Sequence, residues 1–210
     1  MKIKICGIRR EEDARALNEL LPDYTGFVFA DTRRRVTKEQ AAELRSILNR
    51  KIQVFGVFVN APSDFAAELA REGIIDAIQL HGDEDEAYLC DLRKMTDVPV
   101  IKAVRAKNTE VMERADEQLW DYLLLDTYSK DKYGGTGETF SWDMIPRGLK
   151  HPYFLAGGLN AENIYSAMEA VKNRGTCIGL DVSGGVETDG YKDREKIKSV
   201  VEIVRAYPAQ

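Results

Sequence analysis

Apolar and polar positions along the chain follow two rhythms that alternate with one another. Eight short runs rich in β-branched and aromatic residues have the length and composition of strands: KIKIC (2–6), TGFVFA (25–30), QVFGVFVN (53–60), AIQLHG (77–82), VIKAVR (100–105), YLLLDT (122–127), YFLAGG (153–158) and CIGLDVSG (177–184). Between most of them the apolar residues return at helical spacing. TKEQAAELRSILNR puts Ala41, Leu44 and Leu48 on one stripe, with Thr37 as the N-cap. APSDFAAELAREG opens at Pro62 with Ser63 as its cap and stops at Gly73, and NAENIYSAMEAVKNRG takes Asn160 as cap and Gly175 as stop. After Asp126 the pattern breaks. TYSKDKYGGTGETFSWD is long, polar and Gly-rich, which predicts a mobile loop ahead of a short helix.

Strands alternating with helices predict an α/β fold with parallel strands and helical crossovers. Eight such units predict a single-domain (β/α)8 TIM barrel over residues 1–210, compact against the roughly 250 residues usual for that architecture. An open doubly wound sheet is the competitor, but no strand runs into a helix through GxGxxG, and no linker or low-complexity tract divides the chain.

Composition narrows the function classes. With 44% hydrophobic and 31% charged residues the chain reads as an ordinary globular protein, and a net charge of −5 gives no reason to expect nucleic acid or an anionic membrane surface as partner. No apolar run is long enough to cross a bilayer, and the polar N-terminus does not read as a secretory signal. The three cysteines, Cys6, Cys90 and Cys177, form no CxxC pair, which predicts reduced thiols and a cytoplasmic location. Two histidines, His81 and His151, leave little material for a metal site, so none is expected.

In a barrel, chemistry gathers where strands run into loops. The last residues of the predicted strands are Cys6, the arginines after the second, Asn60, His81, Arg105, Asp126, Gly157 with Gly158, and Asp181 to Ser183. Polar groups thus collect at one edge of an apolar set of strands. Three glycine-bearing turns, GGTG (134–137), AGGL (156–159) and SGGV (183–186), follow the last three strands. Glycines let backbone N–H groups approach an anion closely, and barrels often hold phosphate after strands seven and eight. One such pair alone reads better as a tight turn with no ligand. Two pairs in register favour a phosphate cradle built from Gly135, Gly157, Gly158, Ser183, Gly184 and Gly185. Alternation along the first strand puts Lys4 and Cys6 on one face and Ile3 and Ile5 on the other; the apolar pair should meet the helices, leaving Lys4 and Cys6 in the lumen.

Taken together and in order, KICGI, GFVFA, GVFVN, QLHGDE, IKAVR, LLLD, GGTGETFSW, LAGGLN and DVSGGVE resemble the phosphoribosylanthranilate isomerase family, over nearly the whole chain. The resemblance implies an Amadori rearrangement of tryptophan biosynthesis: the ribose ring of N-(5'-phosphoribosyl)anthranilate opens, and the carbonyl moves from C1 to C2 to give 1-(2-carboxyphenylamino)-1-deoxyribulose 5-phosphate. It implies no cofactor and no metal. Its general base corresponds to Cys6 and its general acid to Asp126. The family's Ser-x-Arg-x-Val places Thr32 and Arg34 in DTRRRVT, with Arg34 on the anthranilate carboxylate, although the turn is a residue short and Arg33 or Arg35 could serve. Asp181 matches the aspartate that bonds a substrate amino or hydroxyl group. His81, after Gln79 on the lumen face of the fourth strand, reads equally as a substrate-binding residue lining the site or as a satisfied supporting residue, and no proton transfer is assigned to it.

A free thiol titrates near about 8.5, so a basic Cys6 needs help. A lumenal Lys4 either favours the thiolate or is itself neutralised by Asp126 or Asp181. Asp126 has the opposite need, to keep its proton through partial burial or a neighbouring carboxylate. Two departures from the family strings stand out. Gly184 replaces a serine in DVSSGVE, and Glu138 replaces the lysine of GGTGK. The expected partner is a small phosphorylated molecule, with the chain a monomer or weak homodimer. Rival readings are the histidine-pathway phosphoribosyl isomerase, which carries an aspartate in place of Cys6; a metal-dependent epimerase, for which two histidines are too few; and a phosphate-binding barrel without activity.

Overall fold

The computed structural model describes residues 1–127 and 142–208. Eight parallel strands close into a barrel: β1 (Lys2–Cys6), β2 (Tyr24–Val28), β3 (Gln53–Phe58), β4 (Ala77–Leu80), β5 (Val100–Ala106), β6 (Tyr122–Thr127), β7 (Tyr153–Leu155) and β8 (Cys177–Val182). Each pairs with its neighbour in the chain, and β8 returns to β1 with Lys4 opposite Asp181, which closes the sheet. Seven α-helices are described: α1 (Glu11–Leu20), α2 (Lys38–Ile47), α3 (Ser63–Arg71), α4 (Glu86–Arg93), α5 (Thr109–Asp116), α6 (Ile164–Val171) and α7 (Arg194–Ala206). A two-stranded hairpin, β9 (Glu187–Thr188) and β10 (Tyr191–Lys192), sits between β8 and α7.

The sixth unit departs from the regular plan. Between β6 and β7 the described residues hold a single 3-10 turn, Trp142–Met144, and no α-helix. Pro146 follows two residues later and disfavours helical geometry at Ile145, so the turn cannot lengthen into a helix. The glycine-rich stretch containing Gly135 and Glu138, read from sequence as a loop, lies outside the described residues.

Two helix starts differ from expectation. Thr37 caps α2 as predicted, in a reciprocal pair: Gln40 N donates to Thr37 Oγ1 (3.2 Å) and Thr37 N donates to Gln40 Oε1 (2.9 Å). Ser63, by contrast, is the first helical residue of α3, and the cap position falls to Pro62, which has no side-chain acceptor to offer. Asn160 caps a turn ahead of α6: its Oδ1 accepts from Glu162 N and Asn163 N, so the helix begins at Ile164. Gly73 and Gly175 end their segments with φ of +69° and +70°, a region that glycine enters without penalty.

Strand alternation sorts the core into two shells. Ile3, Ile5, Phe27, Phe58, Ile78, Leu80, Leu123 and Leu125 face outward and pack with helix residues such as Leu17, Leu44, Leu69 and Val200. Removal of these side chains from water supplies most of the stabilisation, about 1.5–3 kcal/mol for each large one. Inward, Phe55, Ala77, Ile101, Ala103, Leu124, Phe154 and Ala156 fill the lower lumen, joined by Tyr24 and Tyr122. Tyr24, Phe55 and Phe154 meet at tilted or edge-on angles with centroids 5.1–5.6 Å apart. Above this aromatic floor the inward positions turn polar: Lys4, Gln79 and Asp181, then Cys6, His81 and Asp126 near the strand ends.

Candidate active site

Because Ile3 and Ile5 are committed to the helices, Lys4 and Cys6 have only the lumen to point into. Lys4 is fully buried, and its Nζ donates to Asp181 Oδ2 at 2.9 Å and to Gln79 Oε1 at 3.0 Å. Of the two carboxylates offered by the sequence, it is therefore Asp181 that neutralises Lys4. Burial pulls the Lys4 ammonium down, but the adjacent Asp181 carboxylate outweighs it and holds the pKa above its ordinary value. Lys4 is charged and can only donate.

Cys6 is 7% exposed at the end of β1. Burial pushes its thiol up, Lys4 and Lys192 oppose this, and Asp181 adds to it; the net direction is upward. A lumenal cation beside the sulfur is thus present as predicted, but desolvation wins, and the resting group is a thiol. Gly26 on β2 makes this proximity possible. A Cβ there would lie 2.8 Å from Cys6 Sγ and 3.5 Å from Lys4 Nζ.

Three strands round the barrel from β1, β6 delivers Asp126, whose side chain is 27% exposed. His81, just beyond β4, lies between two partners: Gln79 Nε2 is 3.1 Å from its Nδ1, and Asp126 Oδ2 is 3.2 Å from its Nε2. Asp181, Lys4, Gln79, His81 and Asp126 therefore form one continuous hydrogen-bonded line through the upper lumen. Asp181 Oδ1 is buried and has no partner among the described residues.

Arg34 lies over the turn that follows Cys6. A Cβ on Gly7, whose φ is +82°, would fall 2.6 Å from Arg34 Cδ. The guanidinium is held by a carboxylate that sequence reasoning did not single out: Arg34 Nε and Nη2 donate to Glu187 Oε1 and Oε2 at 2.6 and 3.0 Å. Arg33, more exposed, donates to Glu187 Oε2 at 2.7 Å, while Arg35 faces solvent. Lys192 was also missed. It is 8% exposed and donates to Glu187 Oε1 at 2.9 Å and to Ser183 O at 3.0 Å. Burial pushes the Glu187 carboxyl up, but bonds from Arg34 and Lys192 outweigh it and bring it down to about 2. Glu187 ends the quoted string DVSGGVE, which was its one visible signal; no pattern marks Lys192.

The glycine turns after β7 and β8 lie against each other. A Cβ on Gly185 would fall 1.9 Å from Leu159 O, so the approach is one that only glycine permits. Gly157 and Gly158 adopt φ of +93° and +64°. The Ser183 hydroxyl donates to Cys6 O at 3.1 Å. Gly184 faces Arg34 Nη2, 3.5 Å from where a Cβ would be. Gly135 lies outside the described residues. Among the described residues no group of three or more His, Cys, Asp or Glu side chains could hold a metal ion, and no helix is long and apolar enough to cross a membrane.

A closed (β/α)8 barrel with a thiol and two carboxylates gathered at the C-terminal ends of its strands has the form of a barrel enzyme. The comparisons with known proteins narrow that class. Residues 3–203 match the family model for N-(5'phosphoribosyl)anthranilate (PRA) isomerase. The chain is 44% identical over 207 residues to the N-(5'-phosphoribosyl)anthranilate isomerase of Thermoanaerobacter sp. (strain X514), with 98% of each covered. Among solved structures, phosphoribosyl anthranilate isomerase from Thermotoga maritima superposes with a TM-score of 0.85 at 35% identity and 98% coverage of each chain; that protein is described as dimeric, and monomers of it have been generated. A phosphoribosyl anthranilate isomerase in complex with reduced 1-(o-carboxyphenylamino)-1-deoxyribulose 5-phosphate superposes with a TM-score of 0.81 at 33% identity, again with 98% of each covered. The chain belongs to the N-(5'-phosphoribosyl)anthranilate isomerase family, and it is an enzyme.

Proposed function

We propose that this chain converts N-(5'-phosphoribosyl)anthranilate to 1-(2-carboxyphenylamino)-1-deoxyribulose 5-phosphate, as a step of tryptophan biosynthesis, with Cys6 as base and Asp126 as acid. The observation that carries the reading is Asp181 Oδ1, a buried carboxylate oxygen beside Cys6 for which the described residues supply no donor. An oxygen kept out of water without a partner costs about 1–3 kcal/mol, a cost that the amino or hydroxyl hydrogen of a bound substrate relieves.

Asp126 gives its proton to the furanose oxygen as the C1–O bond breaks, leaving an iminium at C1 and a carboxylate at Asp126. Cys6, as thiolate, removes the C2 proton, and the electron pair moves to neutralise the iminium. The resulting enolamine tautomerises to the 2-ketone. Burial holds the Cys6 thiol high, so the base form depends on local cations. Lys4 and Lys192 are two, and the iminium adds a third beside the sulfur when substrate displaces water. Arg34, fixed by Glu187 along Nε and Nη2, turns its Nη1 edge to the anthranilate carboxylate. The backbone of Gly157, Gly158, Ser183, Gly184 and Gly185 receives the phosphate, with Gly135 as the contribution of the sixth loop. Gly184, which lacks the family's serine hydroxyl, leaves that contact to its backbone N–H.

The partner is accordingly a small phosphorylated molecule. The large exposed apolar side chains, including Leu119 and Tyr165, suit a monomer or weak homodimer, and three cysteines outside any disulfide suit the cytoplasm. Rescue in host strains is the test. Expression should restore growth without tryptophan to a strain lacking this step. It should not restore growth without histidine to a strain lacking the corresponding phosphoribosyl isomerase. The reverse pattern, or no rescue by well-expressed protein, would overturn the proposal.

A further inference from the structure

We infer that Gln79 and His81 are positioning residues that set the direction of hydrogen bonding at Asp126, so that the acid always meets an N–H donor. The inference deepens the reading of Asp126 as general acid and rests on it. The argument starts at Lys4, whose ammonium has donors and no acceptor. Lys4 Nζ lies 3.0 Å from the Gln79 amide, so the atom facing it is the oxygen, Oε1. That fixes the amide's other end as N–H2. It lies 3.1 Å from His81 Nδ1, which must therefore accept. A neutral imidazole whose Nδ1 accepts carries its proton on Nε2. Nε2 lies 3.2 Å from Asp126 Oδ2, and so donates to it. One buried cation, held in place by Asp181 at 2.9 Å, thereby determines the tautomer of a histidine two links away.

The consequence falls on the acid. Asp126 Oδ2 is an acceptor throughout the cycle, so the transferable proton belongs to Oδ1. When that proton leaves for the ring oxygen, the new carboxylate is already met by the Nε2–H of His81. No reorientation is needed at the moment charge appears, which is the condition under which fixed dipoles lower a barrier. His81 is therefore occupied at both nitrogens and acts through Asp126.

The chain has two histidines, so the imidazole nitrogens can be read directly by two-bond 1H–15N correlation of the full-length protein. His151 is an internal reference with the proton on the other nitrogen, because its Nδ1 faces Asp116 Oδ1 at 2.8 Å. The expected spectrum shows His81 with its proton on Nε2. In Gln79→Glu the carboxylate can still accept from Lys4 but offers His81 no donor, so a proton should appear on Nδ1. The same variant should lose about 10- to 100-fold in kcat, the scale of a misaligned catalytic group, with KM within about threefold of wild type. A wild-type His81 protonated at Nδ1, a tautomer indifferent to Gln79→Glu, or an unchanged kcat would each overturn the inference. Asp126→Asn, assayed alongside, separates the two levels. If that variant remains active, the acid assignment fails whatever the spectrum shows.

Discussion

At the scale of single residues, the site depends on absences as much as on functional groups. Gly26 is the clearest instance. The sulfur of Cys6 occupies the space into which any other residue's Cβ would project, 2.8 Å away. Gly26→Ala must therefore displace the thiol or the strand, and Lys4 Nζ at 3.5 Å closes off one direction of retreat. Overpacking of this kind costs about 1–3 kcal/mol, tolerable for a barrel of this size. The expected result is a folded protein by circular dichroism whose kcat falls by about 100-fold, the cost of roughly an ångström of misplacement. An alanine variant with wild-type kcat would mean that Cys6 does not need its observed position.

At the scale of elements, the β9–β10 hairpin is tied to the second loop. Glu187 on β9 takes Arg33, Arg34 and Lys192 at once, and Lys192 on β10 reaches back to the carbonyl of Ser183. The folded carboxyl sits at about 2 against an unfolded value of 4.5, so its stabilising contribution is full above the unfolded value and is lost as pH falls through the folded one. A shift of that size corresponds to roughly 3 kcal/mol. Wild-type stability should therefore decline between about pH 5 and pH 2, and Glu187→Gln should flatten that part of the urea-derived stability profile while lowering the plateau near neutrality. An identical profile in the variant would contradict the assignment. The inward positions of β1, β4, β6 and β8 were legible from sequence, because a period of two and apolar neighbours leave a polar residue only one face. The Glu187 cluster was not legible. Its members come from residues 33–34, 187 and 192, and ion pairing over about 150 residues has no local pattern. The caps at Ser63 and Asn160 were misplaced for a related reason: each can bond a backbone one turn early or late, and only the surrounding packing decides which.

At the scale of the whole molecule, eight apolar runs of similar length specified a closed sheet, and β8 pairing with β1 completes it. The segment after Asp126 was read as a loop ahead of a short helix, and its described part is one short 3-10 turn, Trp142–Met144, which Pro146 keeps from lengthening. Closure matters for the site because β1 and β6 stand three strands apart around the barrel, through β8 and β7. Only a closed sheet turns the ends of both toward one mouth, with an aromatic floor beneath. At that mouth a hydrogen-bonded line runs from Asp181 through Lys4, Gln79 and His81 to Asp126.

The most direct test of the proposed division of labour between Cys6 as base and Asp126 as acid is fluorescence-monitored turnover of N-(5'-phosphoribosyl)anthranilate by wild type, Cys6→Ser and Asp126→Asn, with folding checked in parallel. Each variant should keep its fold and lose on the order of 10³-fold in kcat, within the range that a positioned acid or base contributes. Turnover within tenfold of wild type in either folded variant would contradict the role given to that residue.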